Sequence, residues 1–157
     1  MELTHLQNII EEHRFFRNLA PHYAELVAGC GKNVVFDANS FILREGDSAD
    51  YFYLIRHGDA SVMTYRSRHG PVTLQTLHEG DILGASWIVP PFRYNFDGRA
   101  LTLVRAVAFD AKCLRDKCEA DHELGYQMMR RFATVMTERL YATRLQLLDV
   151  YGSGIPT

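Results

Sequence analysis

The sequence has no excess of charge of either sign. Its 17 Lys+Arg face 19 Asp+Glu, giving a formal net charge of -2. The basic residues are scattered along the chain rather than striped on one element, so no electrostatic footprint for nucleic acid is apparent and no direct nucleic acid binding is expected. Long apolar runs are also missing. None approaches the roughly 18 residues needed to span a bilayer. The opening "MELTHLQNIIEEHRFF" lacks the positive n-region and apolar h-region of a secretory signal. These absences predict a soluble, cytoplasmic protein with no membrane partner. Cysteine is sparse: Cys30, Cys113 and Cys118 are odd in number and form no CxxC pair. That arithmetic suggests neither a disulfide framework nor a thiolate metal site, and predicts reduced, buried thiols.

What is present is an ordinary globular composition. With 47% hydrophobic and 23% charged residues in 157 positions, the chain is long enough to bury one substantial core, and a single domain over residues 1–157 is expected. In its first thirty or so residues Leu6, Ile9, Ile10, Phe16, Leu19, Tyr23, Leu26 and Val27 recur at helical intervals, interrupted by Pro21. They predict two short helices within residues 1–32. Gly29 and Gly31 then punctuate the chain.

Over residues 33–110 the segments "NVVF", "SFILRE", "YFYLIRHG", "ASVMTYR", "PVTLQTL" and "ALTLVRAVAF" are rich in Val, Ile, Tyr, Phe and Thr and are separated by Gly, Asp, Asn and Pro turns. Short strands at about ten-residue spacing predict an antiparallel sandwich or β-roll. Asp110 and Asp121 are placed as helix N-caps, the first opening a short helix and the second a helix of about thirty residues. That predicts C-terminal helices over residues 111–150, stopped by the glycines of "YGSG". In the long helix Phe132, Met136, Leu140 and Leu147 recur at intervals of four or seven, with Thr143 in the gap. This is close to a coiled-coil seam. A helix of about 45 Å outreaches one small domain, so these five residues are candidates for a homodimer interface.

The stretch "ILREGDSADYFYLIRHGDASVM" and the later "EGDILG" resemble the cyclic nucleotide-binding domain family, which includes the bacterial catabolite activators and the regulatory subunits of cyclic-AMP-dependent kinase. The matching features are Gly46 and Asp47 in a turn, Asp50, the strand Tyr51 to Ile55, Gly58, Gly80, Asp81 and Gly84. The resemblance covers about residues 15–150. It implies a mainly β fold, an antiparallel double-stranded β-helix of jelly-roll type, flanked by N-terminal helices and a long C-terminal helix. It further implies a regulatory, signal-transducing role without catalysis. The turn glycines have a reason of their own, since tight turns between strands often need positive φ.

In members that bind cyclic nucleotides, the phosphate cassette looks like G-E-L-A, a short helix, then P-R-A-A-T. Its glutamate accepts the ribose hydroxyl and its arginine pairs with the phosphate. Laid on this chain without gaps, Gly84 takes the glycine, but Ala85 stands at the glutamate and Tyr94 at the arginine. Arg93 is one place early, after Pro90 and Pro91, and Arg99 lies further on. Losing such contacts to a buried anion costs several kcal/mol in all, on the order of 1–3 kcal/mol for the acceptor alone. The usual mode of cyclic nucleotide binding is therefore not expected.

Instead Trp87, Phe92, Tyr94 and Phe96 supply apolar faces, with Ser86, Arg93 and Asn95 as polar handles. The candidate site is thus Gly84, Ala85, Ser86, Trp87, Arg93, Tyr94 and Asn95. It suits either a cyclic nucleotide or other small planar or anionic ligand held in an altered way, or a pocket plugged by its own side chains. Related transcription factors carry a helix-turn-helix after the long helix, and only "YGSGIPT" follows Val150 here, so a protein partner would be needed to read DNA. A cupin-like metal enzyme would need two histidines and a glutamate on adjacent strands. His57, His69 and His78 do not have that spacing and read as surface or turn residues.

Overall fold

The computed structural model describes residues 2–66, 68 and 70–154. Helix α1 spans Glu2–Glu12, a 3-10 turn follows at Arg14–Phe16, and α2 spans Pro21–Ala28. Pro21 is the first residue of α2 rather than a break within it. That position suits proline, because its missing N–H would have no helical partner there.

Eight strands follow. They are β1 Gly31–Phe36, β2 Phe41–Leu43, β3 Tyr51–His57, β4 Ala60–Arg66, β5 Gly70–Leu77, β6 Ile82–Leu83, β7 Asp97–Ala100 and β8 Val104–Asp110. They form two antiparallel four-stranded sheets, ordered β1-β8-β3-β6 and β2-β7-β4-β5. The expected β-roll is observed, with β1 starting two residues early. Two strands were not anticipated, β6 and β7. The stretch "ALTLVRAVAF" is not one strand but the end of β7, a turn and β8. Short strands carry too little periodicity to announce themselves, and both of these are defined by their partners, Tyr53↔Leu83 in one sheet and Val62↔Gly98 in the other.

The turns explain why glycine recurs. Gly58 has φ +90°, and a Cβ there would lie 2.1 Å from the carbonyl oxygen of Leu103. The β3–β4 turn can pass the β7–β8 turn only with no side chain in between.

Helix α3 spans Ala111–Ala120 and α4 spans His122–Gly154. Both expected N-caps are made: Asp110 accepts from the N–H of Cys113 at 2.9 Å, and Asp121 from those of Glu123 and Leu124 at 3.1 and 3.3 Å. The glycines of "YGSG" do not stop α4, which runs through them to residue 154. Its first turns are anchored by Leu124, Met128 and Phe132, all fully buried.

The cysteines need correction. Cys30 and Cys113 form a disulfide, with Sγ–Sγ 2.10 Å and Cα–Cα 5.7 Å, and only Cys118 is free. An odd count forbids complete pairing but permits one bond and one thiol. The pairing follows from register: Gly31 sits opposite Phe109, so the residue before β1 and the first turn after β8 meet at one end of the sheet.

The core is centred on stacked rings. Phe52 lies between Trp87 and Phe109 at centroid distances of 4.9 and 4.8 Å, and Phe132 of α4 meets Phe52 and Trp87 edge-on at 5.1 and 5.2 Å. Such arrangements suit the ring quadrupoles and bury a large apolar area.

Candidate functional site

The segment joining β6 to β7 contains every residue of the sequence-predicted cassette. Gly84 enters it with φ +93° and leads into a 3-10 turn, Ala85–Ile88. A Cβ at Gly84 would meet the side chains of Leu43 and Tyr94 and the carbonyl of Tyr51, each at 3.3 Å. Only glycine combines that φ with that crowding. After Pro90 and Pro91, residues 92–94 run antiparallel to the β2–β3 turn. The N–H of Ala49 donates to the carbonyl of Phe92 at 2.7 Å, that of Gly46 to Tyr94 at 2.9 Å, and that of Tyr94 to Asp47 at 3.0 Å. The "GDSAD" turn thus fixes the far end of the cassette.

Tyr94, which the ungapped layout sets against the family's arginine, points inward. It is 6% exposed, and its hydroxyl donates to the carbonyl of Tyr51 at 2.6 Å. Burial pushes its phenol up to about 12. The ring therefore fills the space under Gly84 as a neutral, satisfied side chain. Arg93 points outward, where its guanidinium donates to the carbonyl of Gly46 at 2.8 Å. Arg99 is also turned away, donating to the carbonyl of Asn39 at 2.9 Å and lying over the Phe41 ring at 5.2 Å.

Gly84 packs against the Tyr94 ring, but only two of the seven candidates face the adjoining groove. Arg93 and Tyr94 line an open groove of about 430 Å³ with Arg44, Asp47, Ser48 and Asp50, while Gly84, Ala85, Ser86, Trp87 and Asn95 do not line it. Ala85 and Ser86 are half-buried and Asn95 is exposed. Trp87 corrects the expectation most clearly. It is fully buried in the aromatic core, where no planar ligand reaches its face, and its Nε1 finds no acceptor among the described residues. Burying a ring of this size against Phe52 and Phe132 outweighs leaving it beside solvent.

Asp47, Ser48 and Asp50, all within the "GDSAD" stretch, line the groove without having been site candidates from sequence. Nothing in the sequence pointed to Arg115. From α3 its guanidinium donates to the carbonyl of Trp87 at 2.7 Å and lies 4.2 Å over the Phe92 ring. It ties two points of the cassette loop, Trp87 and Phe92, to α3.

Of the histidines, His78 pairs with Asp59 at 2.6 Å in exposed turns, His57 ends β3, and His69 lies outside the described residues. Among the described residues no group of three His, Cys, Asp or Glu could hold a metal ion. Nor is any helix long and apolar enough to cross a membrane.

Two four-stranded sheets rolled together, a glycine-entered turn between β6 and β7, and a long helix packed on that turn define a class of regulatory ligand-binding β-roll. The sequence profile of the cyclic nucleotide-binding domain matches residues 33–121, and the chain belongs to that family. Among solved structures, a Geobacter metallireducens GS-15 protein assigned as cyclic nucleotide-binding is similar at 26% identity and TM-score 0.76, over 89% of this chain and 98% of that one. A cyclic nucleotide-binding domain from Methylobacillus flagellatus KT gives 16% identity and TM-score 0.79, over 99% and 85%. The sensor domain of the transcriptional regulator DNR from Pseudomonas aeruginosa gives 17% identity and TM-score 0.72, over 89% and 95%. No curated protein matches the sequence.

Proposed function

We propose that this domain is a regulatory module that has lost the usual cyclic nucleotide contacts and signals through α4 as a homodimer. The observation that carries the reading is Tyr94. Its buried ring and its bond to Tyr51 occupy the place from which an arginine would pair with a phosphate. Ala85 offers no acceptor for a ribose hydroxyl. The adjoining groove sets Asp47 and Asp50 beside Arg44 and Arg93, so its charges balance and give an anionic ligand no net attraction.

The output side rests on Trp87. Its ring contacts Phe132 of α4, and its carbonyl is held by Arg115 of α3. Any movement of the cassette therefore changes the seating of α4. A ligand or partner shifts that seating only as far as its affinities for the two positions differ. A ligand-free interaction scaffold uses the same coupling with a protein in place of the small molecule, and the Tyr94 plug favours it over an altered ligand.

A thermal-shift titration with cyclic AMP and cyclic GMP tests the reading. No shift is expected at concentrations where a specific ligand at a hundred times its Kd would add about 2.7 kcal/mol. The double variant Ala85→Glu, Tyr94→Arg is expected to acquire a saturable shift. Saturable stabilisation of the unaltered protein would overturn the proposal.

A further inference from the structure

The chain's 14 arginines, scattered in sequence, are not scattered in space. Five of them, Arg14, Arg17, Arg130, Arg131 and Arg139, line a groove of about 650 Å³ between α4, the 3-10 turn after α1 and the β5–β6 turn. The groove shares no lining residue with the one beside Arg93. Its remaining wall includes Phe15, Leu77, Ile82 and Val135, and its carboxylates are Asp81 and Glu138.

Much of this positive charge is uncommitted. Asp81 is taken by Arg14 at 2.6 Å. Arg131 spends its fork on uncharged acceptors, the carbonyl and side chain of Gln127 and the carbonyl of Arg17. Arg17, Arg130 and Arg139 make no ion pair or hydrogen bond through their side chains with a described residue. Burial holds the guanidinium groups of Arg131 and Arg139 below their usual range, and Arg130 adds like-charge repulsion at Arg131. Asp81 and Glu138 partly offset the burial at Arg139, and a bound anion would add the missing opposite charge at Arg131.

We infer that this groove is a binding site for an organic polyphosphate of the nucleoside di- or triphosphate class. Guanidinium forks from two separate elements, the N-terminal 3-10 turn and α4, suit several phosphoryl groups at once, because each fork can donate two parallel hydrogen bonds to phosphate oxygens. The apolar wall suits a planar or hydrophobic remainder. The volume is that of a small-molecule site rather than an extended track for nucleic acid. Occupancy would bridge α4 to the body of the domain beyond Phe132, which is independent of any ligand at the cassette.

The test is calorimetric titration with ATP and with inorganic tripolyphosphate. One saturable site per chain is expected, with ATP bound more tightly than tripolyphosphate. Arg130→Gln and Arg139→Gln should each weaken binding about tenfold or more; Arg130 is exposed, so its variant should melt unchanged, and the half-buried Arg139 variant is titrated well below its own melting midpoint. Arg144→Gln, further along α4, and Arg93→Ala, in the other groove, should bind normally. Absence of saturable heat up to about 1 mM ligand would overturn the assignment. So would equal weakening by Arg144→Gln, which would indicate diffuse attraction to a charged helix. Binding of duplex DNA or anionic vesicles that ATP does not displace would overturn it in favour of an extended polyanion surface.

Discussion

His13 shows how one buried side chain sets a pH limit on the fold. Its Nδ1 accepts the N–H of Phe15 at 3.2 Å and caps the 3-10 turn, so the imidazole must be neutral there. Burial, assisted by the Arg14 charge, lowers its pKa from 6.5 to about 4. Between those values the unfolded chain binds the proton more readily than the folded one. Stability is therefore full above pH 6.5 and is lost as pH falls toward 4. Discounted for the solvent reaching this half-buried ring, the loss should be about 1–2 kcal/mol. Thermal melts from pH 7 to pH 4 should show it, and His13→Asn, which keeps a capping acceptor without titrating, should flatten that acid limb. Cys118 gives a second prediction at this scale. Burial, with Glu119 and Asp121 nearby, pushes its thiol up to about 11. Alkylation without reductant should modify this cysteine alone, slowly at pH 8 and about tenfold faster for each pH unit gained. Prior reduction should expose Cys30 and Cys113 as well.

Helix α4 has two ends with different roles. Phe132 was expected at a dimer seam, but it is 1% exposed and packs on Phe15, Phe52 and Trp87. The heptad spacing places it in line with Met136, Leu140 and Leu147, but periodicity cannot tell which surface a stripe covers. Phe132→Ala should cost about 3–5 kcal/mol in denaturant unfolding, whereas Met136→Ala, at an exposed site, should stay within about 0.5 kcal/mol. Trp87→Ala should behave like Phe132→Ala and unfold the core rather than report on a ligand. Beyond Phe132 the helix changes character. Met136, Leu140 and Leu147 are about half-exposed, and Leu148, Val150 and Tyr151 more so. Thr143 is exposed and its hydroxyl returns to the carbonyl of Arg139 at 2.8 Å.

For the whole molecule, the homodimer proposed above would use that distal stripe as its seam. A helix of 33 residues extends about 50 Å, and among the described residues its fully buried side chains Leu124, Met128 and Phe132 lie in its first third. Sedimentation equilibrium should find a dimer, and Leu140→Glu combined with Leu147→Glu should yield a monomer whose domain melts at the same temperature. A dimer that survives both charges would place the seam elsewhere.

The sequence by itself determined the flanking helices, the β-roll and most of its strands, the glycine turns, the two aspartate caps and the presence of Ala85 and Tyr94 in the cassette stretch. Each of these rests on local chemistry: strand propensity, the left-handed backbone that glycine adopts, capping by a short carboxylate, or the identity of one residue in a motif. Tertiary structure decided the rest. It alone joined Cys30 to Cys113, because strand register sets which chain ends meet. It turned Tyr94 inward and Arg93 outward, and it sent Trp87 to the core and left Leu140 outside. It also gathered five arginines, drawn from the N-terminal turn and from α4, around one groove. Burial and proximity are properties of packed surfaces, and residues distant in sequence acquire them only when sheets and helices close on one another.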